Sequence, residues 1–313
     1  MPKFPPIPRL SIVIPIGRDI AAFESTLISV LENPTDGSEI LVCHDGSYQD
    51  PFELGDEIRF VIADSANPLE LISAGASQAR GRLVHVLSDG LLATSGWIDE
   101  ALEEFEAYDC GVVTPVIRHE TNDTIVSAGW NDSVGGLCQS ANQGQQTVEN
   151  SKPKQSGAYL QGSFWRRELL RSLTDALTST DLLEASYAFH HLAGQAGWKC
   201  SLASESELLY ANETLPWNEP SMSRGMRTQC VKNHFSQSGW SRSLSAALWS
   251  AIASVTRPGQ IVEAIGRGLA PTLSTSLAER VRPNHVASCD QHETIVSMPS
   301  RTQALEQPLR RAA

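Results

Sequence analysis

Residues 38–50 read SEILVCHDGSYQD, and the rest of the chain is organised around them. Ile40, Leu41, Val42 and Cys43 form a short unbroken apolar run bounded by turn residues. That pattern predicts a strand covered on both faces. The run ends in His44-Asp45-Gly46-Ser47. Gly46 permits a sharp turn, which leaves Asp45 at the carboxyl end of the strand. In open α/β sheets ligands bind beyond that end, and a carboxylate there can accept hydrogen bonds from a base or a sugar. Asp and Gly are also common turn formers, so the stretch speaks for the fold first and for function only with its neighbours.

Upstream, Leu10 to Ile14 (LSIVI) predicts a strand closed by Pro15. Asp19 is placed to cap a helix carrying Phe23, Leu27, Val30 and Leu31 at helical spacing. Asn33-Pro34-Thr35-Asp36-Gly37 then breaks the chain. Strand, helix and strand in that order, with so long a crossover, predict parallel pairing. Downstream the alternation continues. Strands are expected at Ile58–Ile62, Leu83–Leu87 and Gly111–Ile117, with helices at Pro68–Ala79 and from Trp97 to about Tyr108. Ser88-Asp89-Gly90 puts a second carboxylate at a strand end. The fold class is therefore α/β, a mostly parallel, Rossmann-like sheet flanked by helices.

Beyond His119 the pattern loosens. Residues 121–156 are rich in Asn, Gln, Ser and Gly and read as a mostly surface insertion with one or two short strands near Ile125-Val126. Gly157–Trp165 is a strand candidate and Arg166–Leu177 a helix. Thr180 or Asp181 caps another helix to about Gln195, and Lys199–Tyr210 holds a last strand. From Pro216 the chain turns helical. Met222–Phe235 is one helix, Leu244, Leu248, Ala251, Ile252 and Val255 form a stripe, and Ile261, Ile265 and Leu269 begin another, all expected to pack on the sheet. Residues 1–9 read as an extended lead-in and 284–313 as a disordered tail.

A net charge of −12 over 313 residues disfavours a nucleic-acid partner, which needs a basic face. The six cysteines are scattered without zinc spacing. With no signal-peptide core at the N-terminus, this suggests a reducing, cytoplasmic setting. No run approaches the ~20 apolar residues of a membrane helix, while peripheral membrane contact stays compatible with the helical extension. Phosphate-loop, zincin, nucleophile-elbow and dinucleotide-binding motifs are absent from the sequence.

LSIVIPIGRD followed by a helix and EILVCHDGSYQD resembles the opening of family 2 glycosyltransferases, enzymes of the GT-A fold. ISAGASQARGRLVHVLSDGLLATSGWIDEAL, GVVTPVIRHETNDTIVSAGWNDSVGGL and GAYLQGSFWRRELLRSL continue the resemblance, which covers about residues 10–210. It implies a nucleotide half (about 10–118) and an acceptor half (about 119–215); the helical extension (216–283) lies beyond it and is read from the helical spacing of its own residues. The implied activity is transfer of a sugar from a nucleotide-sugar to a hydroxyl of a glycan, polysaccharide or lipid-linked acceptor. Pro15, His44, Asp45, Gly46, Ser47 and Asp89 fall at its donor-binding positions, and Trp130 and Trp165 on its acceptor side. Glu184, with Asp181 as rival, falls at the general base. Mn2+ or Mg2+ on Asp89 would be the implied cation.

The chain departs from that pattern. His44 replaces an acid, the outer carboxylates of the Asp-x-Asp turn are Ser88 and Gly90, and Leu71-Ile72-Ser73 replaces a phosphate-binding Ala-Arg-Asn. A lone Asp89 makes a poor site for a hard divalent ion. Two readings follow: a divergent transferase, or an inactive transferase-like fold that binds a nucleotide, a glycan or a protein.

Overall fold

The structure is a computed structural model and describes residues 8–133, 135–148, 157–236, 248, 258–270 and 274–290. Strand β1 (Leu10–Pro15) leads into helix α1 (Ile20–Glu32), which Asp19 caps by accepting from the Ala22 amide at 3.1 Å. Then come β2 (Ser38–His44), β3 (Arg59–Ile62), α2 (Pro68–Gln78), β4 (Leu83–Val86), β5 (Leu91–Ala93) and α3 (Asp99–Glu104). β6 (Cys110–His119) is followed by three short strands, β7 (Ile125–Ser127), β8 (Trp130–Asn131) and β9 (Gln139–Ser140). β10 (Phe164–Arg166), α4 (Arg167–Ala176), α5 (Leu182–Gln195) and β11 (Lys199–Tyr210) complete the α/β part. Helices α6 (Met222–Ser236), α7 (Pro258–Leu269) and α8 (Ser274–Arg280) follow.

The main sheet runs β3-β2-β1-β4-β10-β6-β11-β5, with β7 on β6. β3, β2, β1 and β4 are mutually parallel, as the long crossovers require. β2 is apolar throughout its middle because α helices cover both faces of the sheet, and Leu41, Val42 and Cys43 are fully buried. Burial pushes the Cys43 thiol up to about 12. All six cysteines are free thiols.

Several expectations are corrected. The strand candidate at 157–165 is mostly irregular: Leu160–Gly162 is a single 3-10 turn, and only Phe164–Arg166 enters the sheet, antiparallel between β4 and β6. The insertion after His119 is not a surface excursion. β7 returns to β6: Ile125 closes a small core with Val116 and Ala128, while Val126, Trp130, Leu137 and Cys138 are buried in the main core. The helix expected from Trp97 to Tyr108 is confined to α3. The tail docks at least to residue 290: the Cys289 amide donates to Ala196 O (2.9 Å), and Trp198 Nε1 donates to Ala287 O (2.7 Å).

The helical extension also packs differently. α7 turns Glu263, Ala264, Gly266 and Arg267 inward and leaves Val262, Ile265 and Leu269 exposed. The cause is a close crossing with α6, where a Cβ on Gly225 would lie 2.0 Å from Glu263 O and one on Gly266 2.0 Å from Met222 O. Only that small-residue face lets the backbones approach. The crossing carries the buried Arg224–Glu263 ion pair, with Arg224 Nη2 also donating to Cys138 O (2.6 Å) and Asn218 Oδ1 (2.8 Å). Of the stripe expected at 244–255, only Leu248 lies within the described residues, where it is exposed. No helix among the described residues is long and apolar enough to cross a membrane.

Candidate functional site

The carboxyl ends of β1 and β2 open into a cleft of about 490 Å³ lined by Ile16, Gly17, Glu24, His44, Asp45, Ser47, Tyr48 and other residues of the same loops. β2 ends at His44, and Gly46 takes φ +89°, a left-handed value that turns the chain away from the sheet. Asp45 Oδ1 accepts from the Ser47 amide (3.0 Å) and hydroxyl (2.5 Å). These bonds, the hydroxyl first, hold its carboxyl below the usual range, and Asp45 is therefore ionised at neutral pH. Asp45 is exposed, and its Oδ2 takes no hydrogen bond among the described residues, which leaves it open to a ligand donor.

His44 is buried beneath this turn. Its Nδ1 accepts from the Gly46 amide (3.1 Å), which places the ring proton on Nε2 by assignment. Its ring meets Tyr48 and Phe60 edge-on at 6.1 Å each, and Tyr48 in turn meets Phe23. His44 thus braces the turn, and the aromatic cluster forms a firm wall to the cleft. Tyr48 and Glu24 line the cleft but were not singled out from sequence. Tyr48 lay within reach, three residues after Asp45. Glu24 had no local signal beyond its place near the start of α1.

Pro15 and Gly46 shape the cleft from behind without lining it: Pro15 pairs with Cys43 in the sheet, and the next amide, of Ile16, donates to Cys43 O at 2.8 Å. Asp89 packs against the same loop from the far side. An ideal Cβ on Gly17 would fall 2.3 Å from Asp89 Oδ2, so glycine there is what admits the carboxylate. The neighbouring Gly90 amide is held by Thr26 Oγ1 (2.9 Å). Burial, then repulsion from Asp19, raises the Asp89 carboxyl. Among the described residues no three His, Cys, Asp or Glu side chains come together as a metal site. Asp89 with one acidic neighbour does not fit a protein-built Mn2+ or Mg2+ site.

Glu184 and Asp181 stand at the start of α5. Asp181 caps the helix, with Oδ1 accepting from the Glu184 amide (2.8 Å), while Oδ2 pairs with Arg227 of α6. Glu184 is buried, and its Oε1 accepts from Ser179 Oγ (3.0 Å) and Arg280 Nη1 (2.6 Å). Both candidate bases are thus met by guanidinium groups from the C-terminal helices. Arg227 and Arg280 were not foreseen, since they lie 46 and 96 residues away in sequence. Glu184 Oε2 takes no hydrogen bond among the described residues.

Trp130 and Trp165 are each 1% exposed, so the expected sugar-stacking face is replaced by core packing. Trp130 Nε1 donates to Ala158 O (3.0 Å) and its ring meets Tyr187 and His190. Trp165 lies in β10 and donates to Ser163 Oγ (2.8 Å). Each indole N–H finds an acceptor, as burial demands.

No family model matches the chain, and no curated protein matches its sequence. Among solved structures, one similar chain is a mannosyltransferase from Pyrobaculum calidifontis, in complex with GDP-Man and Mn2+. It is 12% identical, with a TM-score of 0.45, and the match covers 97% of this chain and 84% of that one.

Proposed function

We propose that this chain is a GT-A-like, family 2-type glycosyltransferase that binds a nucleotide-sugar in the cleft at the carboxyl ends of β1 and β2. The observation that carries the reading is the ionised Asp45, which lines a cleft of about 490 Å³ from a braced turn and whose Oδ2 takes no hydrogen bond among the described residues. That volume is within the range that takes a nucleotide. The acceptor hydroxyl belongs to a glycan, a polysaccharide or a lipid-linked precursor, and Glu184 is its base through Oε2. No step is assigned to a divalent cation, because Asp89 is a poor ligand set.

A second reading, binding without transfer, is favoured by the Arg227–Asp181 and Arg280–Glu184 ion pairs. A carboxylate oxygen held by a guanidinium is occupied and is not free to meet an acceptor hydroxyl. One experiment separates the two. Thermal unfolding is followed against UDP, GDP, dTDP and CMP and their sugars, with and without Mn2+, and the product of any shifting sugar is then sought with added acceptors. Ligand at 100 times its Kd stabilises the fold by about 2.7 kcal/mol. A shift with one base, lost in Asp45→Ala, supports the donor site; no shift with any base sinks it. Turnover that falls in Glu184→Gln while the shift persists supports transfer, and a shift without turnover supports binding alone.

A further inference from the structure

A second cavity, of about 310 Å³, opens at the opposite, amino end of the sheet. Its walls include Arg9, just before β1, Arg82, just before β4, and Arg166, at the end of the antiparallel β10. The antiparallel entry of β10 is what carries Arg166 to this edge. Glu106 and Tyr108 come from the turn after α3, and Leu83, Leu102 and Phe105 form the apolar floor. Three guanidiniums therefore face one carboxylate, in a protein whose net charge is −12.

The three arginines are not spent on each other's neighbours. Arg166 is 7% exposed and is fixed by Nε and Nη2, which donate to Cys110 O (2.7 Å), Phe105 O (2.9 Å) and Ala107 O (2.9 Å), with its plane near the Phe105 and Trp198 rings. Its Nη1 takes no hydrogen bond among the described residues. The side chains of Arg9 and Arg82 are exposed and form no ion pair among the described residues. Burial first, and also the repulsion of nearby Arg82, pull the Arg166 group downward against the opposing pull of Cys110, Cys289 and Asp109, and Glu106 is the one carboxylate among the residues that line the cavity.

We propose that this amino-end cavity is a binding site for a small oligophosphate-type anion, held by Arg9, Arg82 and the fixed Arg166, with the Tyr108 hydroxyl as a further donor. Guanidinium forks match phosphate oxygens in pairs, and the apolar floor strengthens each charged bond. The volume admits a di- or triphosphate-sized group. This site lies across the sheet from the nucleotide cleft and does not depend on it.

The test is calorimetric titration of the full chain with inorganic pyrophosphate and tripolyphosphate at low ionic strength. Wild type, Asp45→Ala and the double variant Arg9→Gln/Arg82→Gln are compared. Expected are binding to wild type and Asp45→Ala alike, and a loss of about tenfold or more in the double variant, the scale of two charge-assisted bonds. No binding of either probe to wild type overturns the proposal. So does binding that Asp45→Ala removes and the double variant keeps, which assigns the anion to the nucleotide cleft. Thermal unfolding without added anion is the second measurement. The double variant is expected to unfold no lower than wild type, because removing like charges relieves repulsion. A lower midpoint means that the guanidiniums already have partners in the protein, and overturns the site.

Discussion

Replacing Arg280 with Met removes the charge that meets Glu184 while keeping much of the side chain's length. Arg280 Nη1 stands 2.6 Å from Glu184 Oε1, with the arginine side chain 33% exposed and the glutamate 8%. Two unit charges about 4 Å apart attract by about 4 kcal/mol at an effective dielectric of 20. Desolvation of Glu184 and solvent screening at the exposed arginine take back more than half of this, leaving about 1–2 kcal/mol of coupling. The single variant is expected to cost more, about 2–3 kcal/mol, because it leaves a buried carboxylate with Ser179 as its remaining side-chain donor and also loses the bond to Thr178 O (3.0 Å). Urea unfolding of wild type, Arg280→Met, Glu184→Gln and the double variant separates these contributions, since the Thr178 bond cancels in the cycle. The double variant should be more stable than the sum of the singles by about 1–2 kcal/mol. Additivity within about 0.3 kcal/mol would show that the pair carries no energy, and the argument that the C-terminal helices restrain the candidate base would fall with it.

His85 lies in β4 between Trp97 and Phe164, fully buried and without a well-formed hydrogen bond to either ring nitrogen among the described residues, and burial, opposed weakly by the Gly162 backbone, pulls its pKa from 6.5 to about 3. The unfolded chain takes a proton below about pH 6.5 and the folded one does not. Stability is therefore lost as pH falls from 6.5 toward 3, at up to about 1.4 kcal/mol per pH unit. His85→Leu should reduce the difference in urea stability between pH 7 and pH 4.5 by about 2–3 kcal/mol, and an unchanged difference refutes this. Gly266→Ala should cost about 2 kcal/mol or more by thermal unfolding, because its Cβ meets the Met222 carbonyl and not a movable side chain. Gly17→Ala should displace Asp89 and weaken nucleotide binding in the same thermal assay, with a stability cost of about 1–2 kcal/mol.

What was legible in the sequence was local. The apolar run at 40–43, the Asp19 cap and the glycine turn each depend on a few adjacent residues, and β2, α1 and α2 fall within a residue or two of their expected bounds. The position of the cleft at the carboxyl ends of β1 and β2 followed from the same logic, because loops leaving neighbouring parallel strands meet at one end of the sheet. What stayed hidden depends on distant partners. GAYLQGSFW is apolar enough for a strand, yet only its last residues find open edges between β4 and β6. Trp130 and Trp165 carry no sign of burial in their neighbours. α7 is amphipathic by pattern, but its orientation is set by two glycines 41 residues apart and by an ion pair that rewards burying its polar side.

In the strand ladder β10 is the seam between two half-sheets, β3, β2, β1 and β4 on one side and β6, β7, β11 and β5 on the other, and α1 ties them as well: the Ala93 amide of β5 donates to Ser29 Oγ (2.9 Å) and Asn33 Nδ2 donates to Ala93 O (3.2 Å). Contacts across the seam span long stretches of chain, so docking of the halves is a late and slow event in folding, after each half has formed its local pairs. The seam also sets where the native molecule yields first under load. Amide exchange at Val84 and Val112, whose residues pair with Trp165 from either side, will report that opening as one event.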